Sequence, residues 1–428
     1  MPLSLDDAVS RALAHNLQVR LGEQNQQLVR GEVLSVENNL LPSLQAQAYT
    51  RSAEINLAAQ GFKPAVFQQI TQNLGSAGTL PTIVKVNTTS AQVSLNQTIF
   101  NVPAFFLYRA AKKADSAAEL GTLNIRGGVA LQMASGYLRA LADRAEIENA
   151  RSLLRADEVA LQQAVESHRA GVATNLDELR ARVQLQSEQQ TLISAENTFS
   201  KDKIALNRVM GLPAEQDLTL TDAVPYAELA EMPLPLAMEL AFVKRKDLLT
   251  LEAQVVVAEA TLKAVKYQRL PTLGVNGFYG VLGETRGLYH GVFTAEGSMK
   301  FPIFREAEFR GEQEVADAQL RGLQIQITAL RVTIEAQIRS SMLDVESANQ
   351  LVKVAQNNVD LAQQELNDAQ ERFSAGVTDN LPLVEAQATL AGAQSRLVEV
   401  TYQYNAAKLN LARNTGVIET QYKVYLGR

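Results

Sequence analysis

The chain repeats its own residue pattern, and this duplication constrains its fold more than any other feature of the sequence. One matching block could arise by chance, but several blocks separated by nearly the same number of residues could hardly do so. The pattern therefore predicts two structural repeats, over 1–229 and 230–428. The first repeat carries extra residues between Pro42 and Phe100. The blocks recur in this way: Leu41-Pro42 as Leu270-Pro271, Ile99-Phe100 as Ile303-Phe304, and Ala170-Gly171-Val172 as Ala375-Gly376-Val377.

Each repeat predicts the same order of elements: a helix that ends at a proline, two strands, a very long helix, a glycine turn and a return helix. A helix of the longest kind measures about 100 Å at about 1.5 Å per residue, so the chain cannot form one compact domain. The predicted helices are 6–40, 104–169, 174–210, 235–269, 305–374 and 378–413, and the strands are 42–51, 86–100, 271–281 and 291–304, with a linker at 211–234 and a tail at 414–428.

The second long helix has the apolar spacing of a coiled coil. Steps of three and four residues are typical of the seam along which two helices pack. The spacing then drifts through Ile338 and Met342, so we expect packed long helices without a strict supercoil. The seam residues are Leu320, Leu323, Ile327, Leu330 and Ile334.

The strand segments alternate between apolar and polar side chains. One apolar and one polar face over about ten residues is typical of a membrane-barrel strand that faces lipid outside and water inside. A half-buried sheet in a soluble protein would give the same alternation. Aromatic residues cluster in these segments, which favours the barrel because barrels carry aromatic girdles. On that interpretation the lipid-facing side chains are Leu44, Val93, Leu95, Phe293 and Met299.

Four strands cannot close a membrane barrel, and an open sheet edge cannot exist in lipid. The chain must therefore oligomerise, and two copies would supply eight strands while three would supply twelve. Twelve strands could leave a pore, whereas eight leave an interior filled by side chains. The extra residues of the first repeat, 52–85, are expected to form an external loop longer than the one at 282–290.

Composition excludes several classes of protein. No run of about 18 apolar residues occurs, so a polytopic helical membrane protein is excluded. There are no cysteines, the three histidines are scattered, and no phosphate-binding loop or catalytic motif is present, so we expect no metal, no cofactor and no enzyme activity. A net charge of −6 gives no support for nucleic-acid binding.

The sequence resembles the TolC-type outer membrane efflux proteins, also called channel-tunnels. The resemblance covers about residues 3–417 and implies a homotrimer in which a twelve-stranded β-barrel in outer-membrane lipid is continuous with a long α-helical barrel in the periplasm. The features that carry it are the block Leu3-x-Leu5-x-x-Ala8…Ala12-Leu13-x-x-Asn16, its Leu-Leu-Pro ending, the Ile-Phe after each strand pair, and the Ala-Gly-Val-x-x-Asn-Leu turns.

The function implied by the resemblance is a passive exit duct of a tripartite efflux or type I secretion system. Its partners would be a periplasmic adaptor (membrane fusion) protein and an inner-membrane transporter, and their identity and the substrate cannot be read from the residues. The alternative is a periplasmic coiled-coil adaptor or scaffold that never enters a membrane. No signal peptide precedes the first amphipathic segment. If the protein is exported, we expect its leader to be missing from this chain.

The resemblance also implies a constriction and a docking surface at the two helix-tip turns. Gly171, Val172, Gly376 and Val377 correspond to the turns against which an adaptor docks.

By alignment of these turns, Asp177 and Glu385 fall where the family rings its periplasmic entrance with carboxylates, which favour cations. Phe373 and Thr378 stand where the family often has a latching tyrosine and arginine, so closure of the entrance is not carried over. The alternative is that both acids only complement helix dipoles.

Overall fold

The computed structural model describes residues 1–61, 83–171, 174–224, 226–375, 377–378 and 381–427, without the side chains of Gln60 and Ser374. The described chain forms two units. One comprises Met1–Leu28, Asp115–Val255 and Gly322–Arg428, and the other comprises Val29–Ala114 and Val256–Arg321. Each unit takes segments from both halves of the sequence, because four helices run from one unit into the other.

The helices dominate the chain in number and length. Two of them, α3 and α7, have 68 and 69 residues, which corresponds to about 100 Å each at about 1.5 Å per residue. Among the described residues, no helix combines the length and the apolar composition needed to cross a bilayer. The helices are α1 (Leu5–His15), α2 (Leu17–Glu37), α3 (Val102–Arg169), α4 (Asn175–Val209), α5 (Leu234–Lys244), α6 (Lys246–Lys266), α7 (Glu306–Ser374), α8 (Leu381–Asn414) and α9 (Ile418–Tyr425).

The predicted helices 6–40 and 235–269 are each two helices, broken at Asn16 and Arg245. Asn16 has extended backbone angles, and its side chain donates to the carbonyl of Val209 at 2.8 Å while accepting from the amide of Gln18 at 2.8 Å. Arg245 is likewise extended, and just after it the amide of Leu248 donates to the carboxylate of Asp247 at 2.9 Å. Side-chain hydrogen bonds thus replace those that an unbroken helix would make at these points.

The strands form two sheets. Four of them make an antiparallel sheet in the order β2-β3-β5-β6, and a two-residue parallel pair joins β1 to β4. The strands are β1 (Pro2–Leu3), β2 (Ser43–Asn56), β3 (Ile83–Phe100), β4 (Thr219–Leu220), β5 (Thr272–Glu284) and β6 (Tyr289–Lys300).

All four main strands extend further towards the loops that connect them than the alternation of side chains predicted. Pairing of β2 with β3 continues out to Asn56 and Ile83, so the ends of the predicted loop 52–85 are strand, and 62–82 lie outside the described residues. The predicted loop 282–290 shortens to 285–288. Backbone pairing needs no apolar side chain, which is why the alternation underestimated the strands. At its other end β6 stops at Lys300, short of the predicted 304, because Pro302 lies close by and lacks an N–H donor.

The unit of Met1–Leu28, Asp115–Val255 and Gly322–Arg428 is called the helical unit here. Its main hydrophobic core lies where α1, α3, α4, α8 and α9 meet. Tyr137 of α3 is fully buried there, and its hydroxyl lies 2.8 Å from both the carbonyl of Leu3 and the carboxylate of Asp222. Burial raises the pKa of Tyr137 to about 12. Helix α9 lies within the predicted tail 414–428 and buries Ile418 and Tyr422 against this core.

Candidate functional site

The register of the four-stranded sheet determines which side chains share a face, because directly opposed residues of antiparallel strands point the same way. Ala46, Val93, Tyr279 and Phe293 form one such row across all four strands. Leu44 and Leu95 oppose each other one step along.

All five side chains that the sequence predicted to be lipid-facing lie on this one face. Met299 opposes Leu273 and shares the face of Phe293 because both have odd numbers on β6. Their exposed fractions run from 39% at Leu95 to 77% at Phe293, so within the single chain none of them is buried.

The opposite face of the sheet is mainly polar. Asn96 opposes Ser43 and Asn276, and the same row ends at Glu296 on β6. The next row contains Gln45, Ser94, Phe278 and Thr294. Amide and hydroxyl side chains on this face suit contact with water.

The apolar face ends at a row of hydroxyl groups. The Oγ1 atoms of Thr50 and Thr89 are 3.1 Å apart, and those of Thr89 and Thr285 are also 3.1 Å apart. Beyond them Glu54 and Lys85 form an ion pair at 3.7 Å on the same face. On β5 the apolar face runs from Leu273 to Val281 and ends before the hydroxyl row. This stretch has nine residues, and a tilted strand that spans a bilayer needs ~9–11.

Sequence reasoning missed Tyr279, Val275 and Val281, which are exposed on the apolar face of β5. Glycines at positions such as Gly277 and Gly280 interrupt the alternation of side chains there and hide it. The close approach of neighbouring backbone explains Gly277, since a Cβ at that position would lie 2.6 Å from the carbonyl oxygen of Thr294. Tyr279, which lies between Gly277 and Gly280, was the signal available in the sequence.

The sheet has two long edges. Within the part of the chain that the structure describes, β2 pairs only with β3, and β6 pairs only with β5. These edge strands have 14 and 12 residues, so a long row of backbone donors and acceptors is available at each side.

The first helix-tip turn joins α3 to α4. Gly171 has a φ of +75°, which favours glycine, and its N–H donates to the carbonyl of His168 at 3.0 Å. Thr174 then caps α4 through a capping box with Asp177, whose carboxylate accepts from the Thr174 amide at 2.9 Å and from its hydroxyl at 2.7 Å. These hydrogen bonds from Thr174 lower the pKa of Asp177. Val172 lies outside the described residues.

The second turn joins α7 to α8. Phe373 is half-buried on the last turn of α7, and Val377 is exposed with its N–H donating to the carbonyl of Arg372 at 3.0 Å. Thr378 is half-buried, and Glu385 is exposed on the second turn of α8. Gly376 lies outside the described residues.

A groove of about 420 Å³ lies between the starts of α4 and α8. Asp177 lines it, whereas Glu385 does not, although its neighbour Val384 does. Most of the lining is apolar and includes Leu176, Leu179, Val183 and Leu381. Asp177 thus lines a groove between the two predicted return helices.

Glu178 is a charged residue at this tip that sequence reasoning missed. Its carboxylate lies 2.9 Å from Nδ1 of His168 and 2.8 Å from the guanidinium of Arg182, so it fastens α4 to the end of α3. The hydrogen bond with His168 lowers the pKa of Glu178. The spacing of four between Glu178 and Arg182 was the signal available. Among the described residues, no group of three or more histidines or carboxylates could hold a metal ion.

Comparison with known proteins relates these features to one family. A sequence profile described as outer membrane efflux protein matches residues 8–212 and 237–417. The chain is 24% identical over 293 residues to the pyoverdine export outer membrane protein OpmQ of Pseudomonas putida, covering 66% of this chain and 61% of that one. It is also 24% identical over 344 residues to the alkaline protease secretion protein AprF of Pseudomonas aeruginosa, covering 76% and 69%. The match thus spans about three fifths of the length of the first relative.

Solved structures give the same relation at the level of the fold. The Campylobacter jejuni CmeC outer membrane channel matches with a TM-score of 0.81 at 15% identity, covering 96% of this chain and 85% of that one. The outer membrane protein VceC of Vibrio cholerae matches with a TM-score of 0.78 at 15% identity, covering 96% of each chain. With the profile matching most of both sequence halves, this chain belongs to the outer membrane efflux protein family.

Proposed function

We propose that the chain is the exit duct of a tripartite efflux or type I secretion system, a homotrimer in the outer membrane that conducts its substrate passively. The observation that carries the proposal is a sheet with one apolar face and a long edge strand on each side. Hydrocarbon offers no hydrogen bonds to a sheet edge, so β6 of one copy would pair with β2 of the next. Three copies would supply twelve strands.

Three copies suit the polar face better than two. An eight-stranded barrel has an interior filled by side chains, whereas a twelve-stranded barrel leaves room for water. Rows such as Ser43, Asn96, Asn276 and Glu296 would line that interior. The five exposed apolar side chains, Leu44, Val93, Leu95, Phe293 and Met299, would then face outer-membrane lipid.

The long helices also support oligomerisation. Five exposed apolar residues lie at spacings of 7, 11, 11 and 7 along α7, which keeps them on one face because 7 and 11 residues are close to whole numbers of turns. The face extends over about 54 Å at 1.5 Å per residue, and a second copy would cover it. The residues are Ile325, Val332, Leu343, Val354 and Leu361.

The helical unit would form the periplasmic part of the duct, with an adaptor docking at the tips around Gly171, Val172, Gly376 and Val377 and an inner-membrane transporter supplying the substrate. The relatives include proteins of pyoverdine export and of alkaline protease secretion. A duct whose relatives are named for such different cargoes would leave substrate choice to the pump. The alternative of a periplasmic scaffold is set aside because the matching family is one of outer membrane proteins.

The two repeats, 1–229 and 230–428, belong to the same proposal. Their helices have matching lengths: 11 residues in α1 and α5, 21 in α2 and α6, 68 and 69 in α3 and α7, and 35 and 34 in α4 and α8. Duplication of one unit would explain how a single chain supplies two strand pairs to a barrel.

Planar bilayer recording of the purified full chain tests the proposed function. A water-filled duct predicts stable, ohmic conductance steps of one size, with no dependence on an added energy source. Protein that is pure and folded but leaves the bilayer resistance unchanged at all voltages would contradict it.

A further inference from the structure

Two grooves lie where the four-stranded sheet meets the helices, and the duplication of the sequence relates them. The first has a volume of about 540 Å³ and the second about 500 Å³. They occupy equivalent places in the two repeats, so a difference between their linings is a difference in chemistry. The second groove has Gln268, Thr272, Phe301 and Arg305 where the first has Asn39, Ser43, Gln97 and Asn101.

The second groove contains its own ion pair. Nε of Arg305 lies 2.6 Å from the carboxylate of Glu308, and the Arg305 guanidinium lies 5.9 Å from the centre of the Phe309 ring. Phe301 stands there in place of an amide. The charge of Arg305 is thus neutralised within the chain.

The first groove is lined mainly by amide side chains and by no carboxylate. Two of the amides are held by the chain: Nε2 of Gln97 donates to the carbonyl of Leu40 at 3.1 Å, and Oδ1 of Asn101 accepts from the amide of Ala104 at 3.0 Å. The other four make no side-chain hydrogen bond to the described residues, and each offers two donor hydrogens and an acceptor oxygen. These four are Asn38, Asn39, Asn96 and Asn276.

Lys300 is the one charged residue in the lining of the first groove. Its ammonium group makes no ion pair with a carboxylate of the described residues. Glu296, on the same face of β6, is four residues away, which is about 13 Å at about 3.3 Å per residue. Lys300 also borders the second groove, but neither Glu308 nor Glu312 of that groove pairs with it. The first groove therefore combines an unpaired positive charge with unused hydrogen-bonding groups.

We propose that the first groove binds a small anionic solute that carries several hydroxyl or carbonyl groups. Its carboxylate or phosphate group would lie against Lys300, and its other polar groups would lie against the amides. A volume of about 540 Å³ is within the range of small-molecule sites. One chain forms the whole lining, so binding needs no second copy.

The role of this groove in transport rests on the proposed function, because only a closed barrel would place the polar face in the path of a solute. In that setting the groove names a substrate class for the duct. Binding would be weak, since a conducted solute must be able to leave as well as to enter.

The two kinds of contact predict which solutes bind. Gluconate carries a carboxylate and a row of hydroxyl groups, and it can satisfy both Lys300 and the amides. Sorbitol lacks the carboxylate and acetate lacks the hydroxyl groups. A hydrogen bond to a charged group is about twice as strong as one between neutral groups. Gluconate should therefore bind at least about tenfold more tightly than either of the others.

Saturation-transfer NMR of the full chain in detergent, titrated with gluconate, sorbitol and acetate, tests the proposal. Lys300→Met should weaken gluconate binding about tenfold without changing that of sorbitol. Lys85→Met is the matched control, because Lys85 is an exposed lysine on the other face of the same sheet. It should leave gluconate binding unchanged.

A second pair of variants tests the amides. Asn276→Asp adds a negative charge to the lining and should abolish detectable gluconate binding. Gln92→Glu adds the same charge to the polar face of β3 outside the groove, and it should weaken binding less than about twofold.

The proposal is overturned if gluconate binds no better than sorbitol and acetate, or if Lys300→Met binds it like the parent. Planar bilayer recording of the same preparation separates this result from the proposed function. Conductance steps without gluconate binding would overturn the groove and leave the duct. Gluconate binding that Lys300→Met weakens, in a preparation without conductance, would support the groove and contradict the duct.

Discussion

At the scale of single residues, the two candidates for the entrance differ in their local hydrogen bonds. Asp177 is held by three hydrogen bonds within its capping box, which gives it a structural role whatever else it does. Glu385 is exposed on α8, and its carboxylate makes no hydrogen bond or ion pair to the described residues. The sequence alone could not show this difference between Asp177 and Glu385, because both are acids near the start of a helix.

Glu385→Gln is therefore expected to change ion selectivity more than Asp177→Asn. Three copies of Glu385 around one axis would concentrate negative charge in a constriction, and removing them should lower cation selectivity and weaken block by multivalent cations. Planar bilayer recording at about 0.01 M salt, where the screening length is about 30 Å, makes the effect largest.

The matched control for this pair is Glu231→Gln, an exposed acid in the segment between α4 and α5. Assembly should be unchanged in all three variants. If Glu385→Gln conducts and is blocked like the parent, the entrance carboxylates lie elsewhere.

At the scale of elements, alternation and spacing predicted the order of helices and strands but not their ends. The helix break at Asn16 depends on a hydrogen bond to the distant carbonyl of Val209, which no local pattern contains. The less exposed positions of α7 continue the predicted seam, with one additional four-residue step between Ile334 and Ile338. A step of that kind shifts the seam and explains the drift in spacing. The apolar face of β5 stayed hidden because it is interrupted by glycines.

Arginine substitutions test which face of the sheet meets lipid. Leu95→Arg or Phe293→Arg should block stable assembly in the membrane, because an arginine at the lipid face near the midplane costs about 2–4 kcal/mol and three copies repeat that cost. Ser94→Arg and Thr294→Arg are the controls, since each is the adjacent residue on the opposite face. The readout is the amount of oligomer in the outer membrane fraction. Equal tolerance of arginine on both faces would show that the apolar face does not meet lipid.

A glycine pair on the apolar face tests the close strand approach. Gly277→Ala should reduce the yield of assembled protein several-fold, because its Cβ would lie 2.6 Å from the carbonyl oxygen of Thr294. Gly297→Ala should be tolerated, since a Cβ there meets nothing within 4 Å. Heat-resistant oligomer on a denaturing gel measures both. Equal yields for the two variants would mean that the strands separate without cost at Gly277.

At the scale of the whole molecule, the proposed duct requires that the sheet be incomplete in one chain. Its apolar face is exposed and its two edge strands are long, and either feature would promote aggregation in a protein that remained a monomer in water. Sequence reasoning reached this conclusion from strand number alone. It could not reach the number three, because two and three copies both close a barrel and only the width of the interior differs.

Native mass spectrometry of the full chain, extracted with mild detergent from the outer membrane fraction, shows how many chains complete the sheet. We expect a complex of three chains of 46.7 kDa each, found in that fraction and dependent on detergent for solubility. A complex of two chains would contradict the twelve-stranded duct. A monomer recovered without detergent from the soluble periplasmic fraction would contradict any duct in the outer membrane.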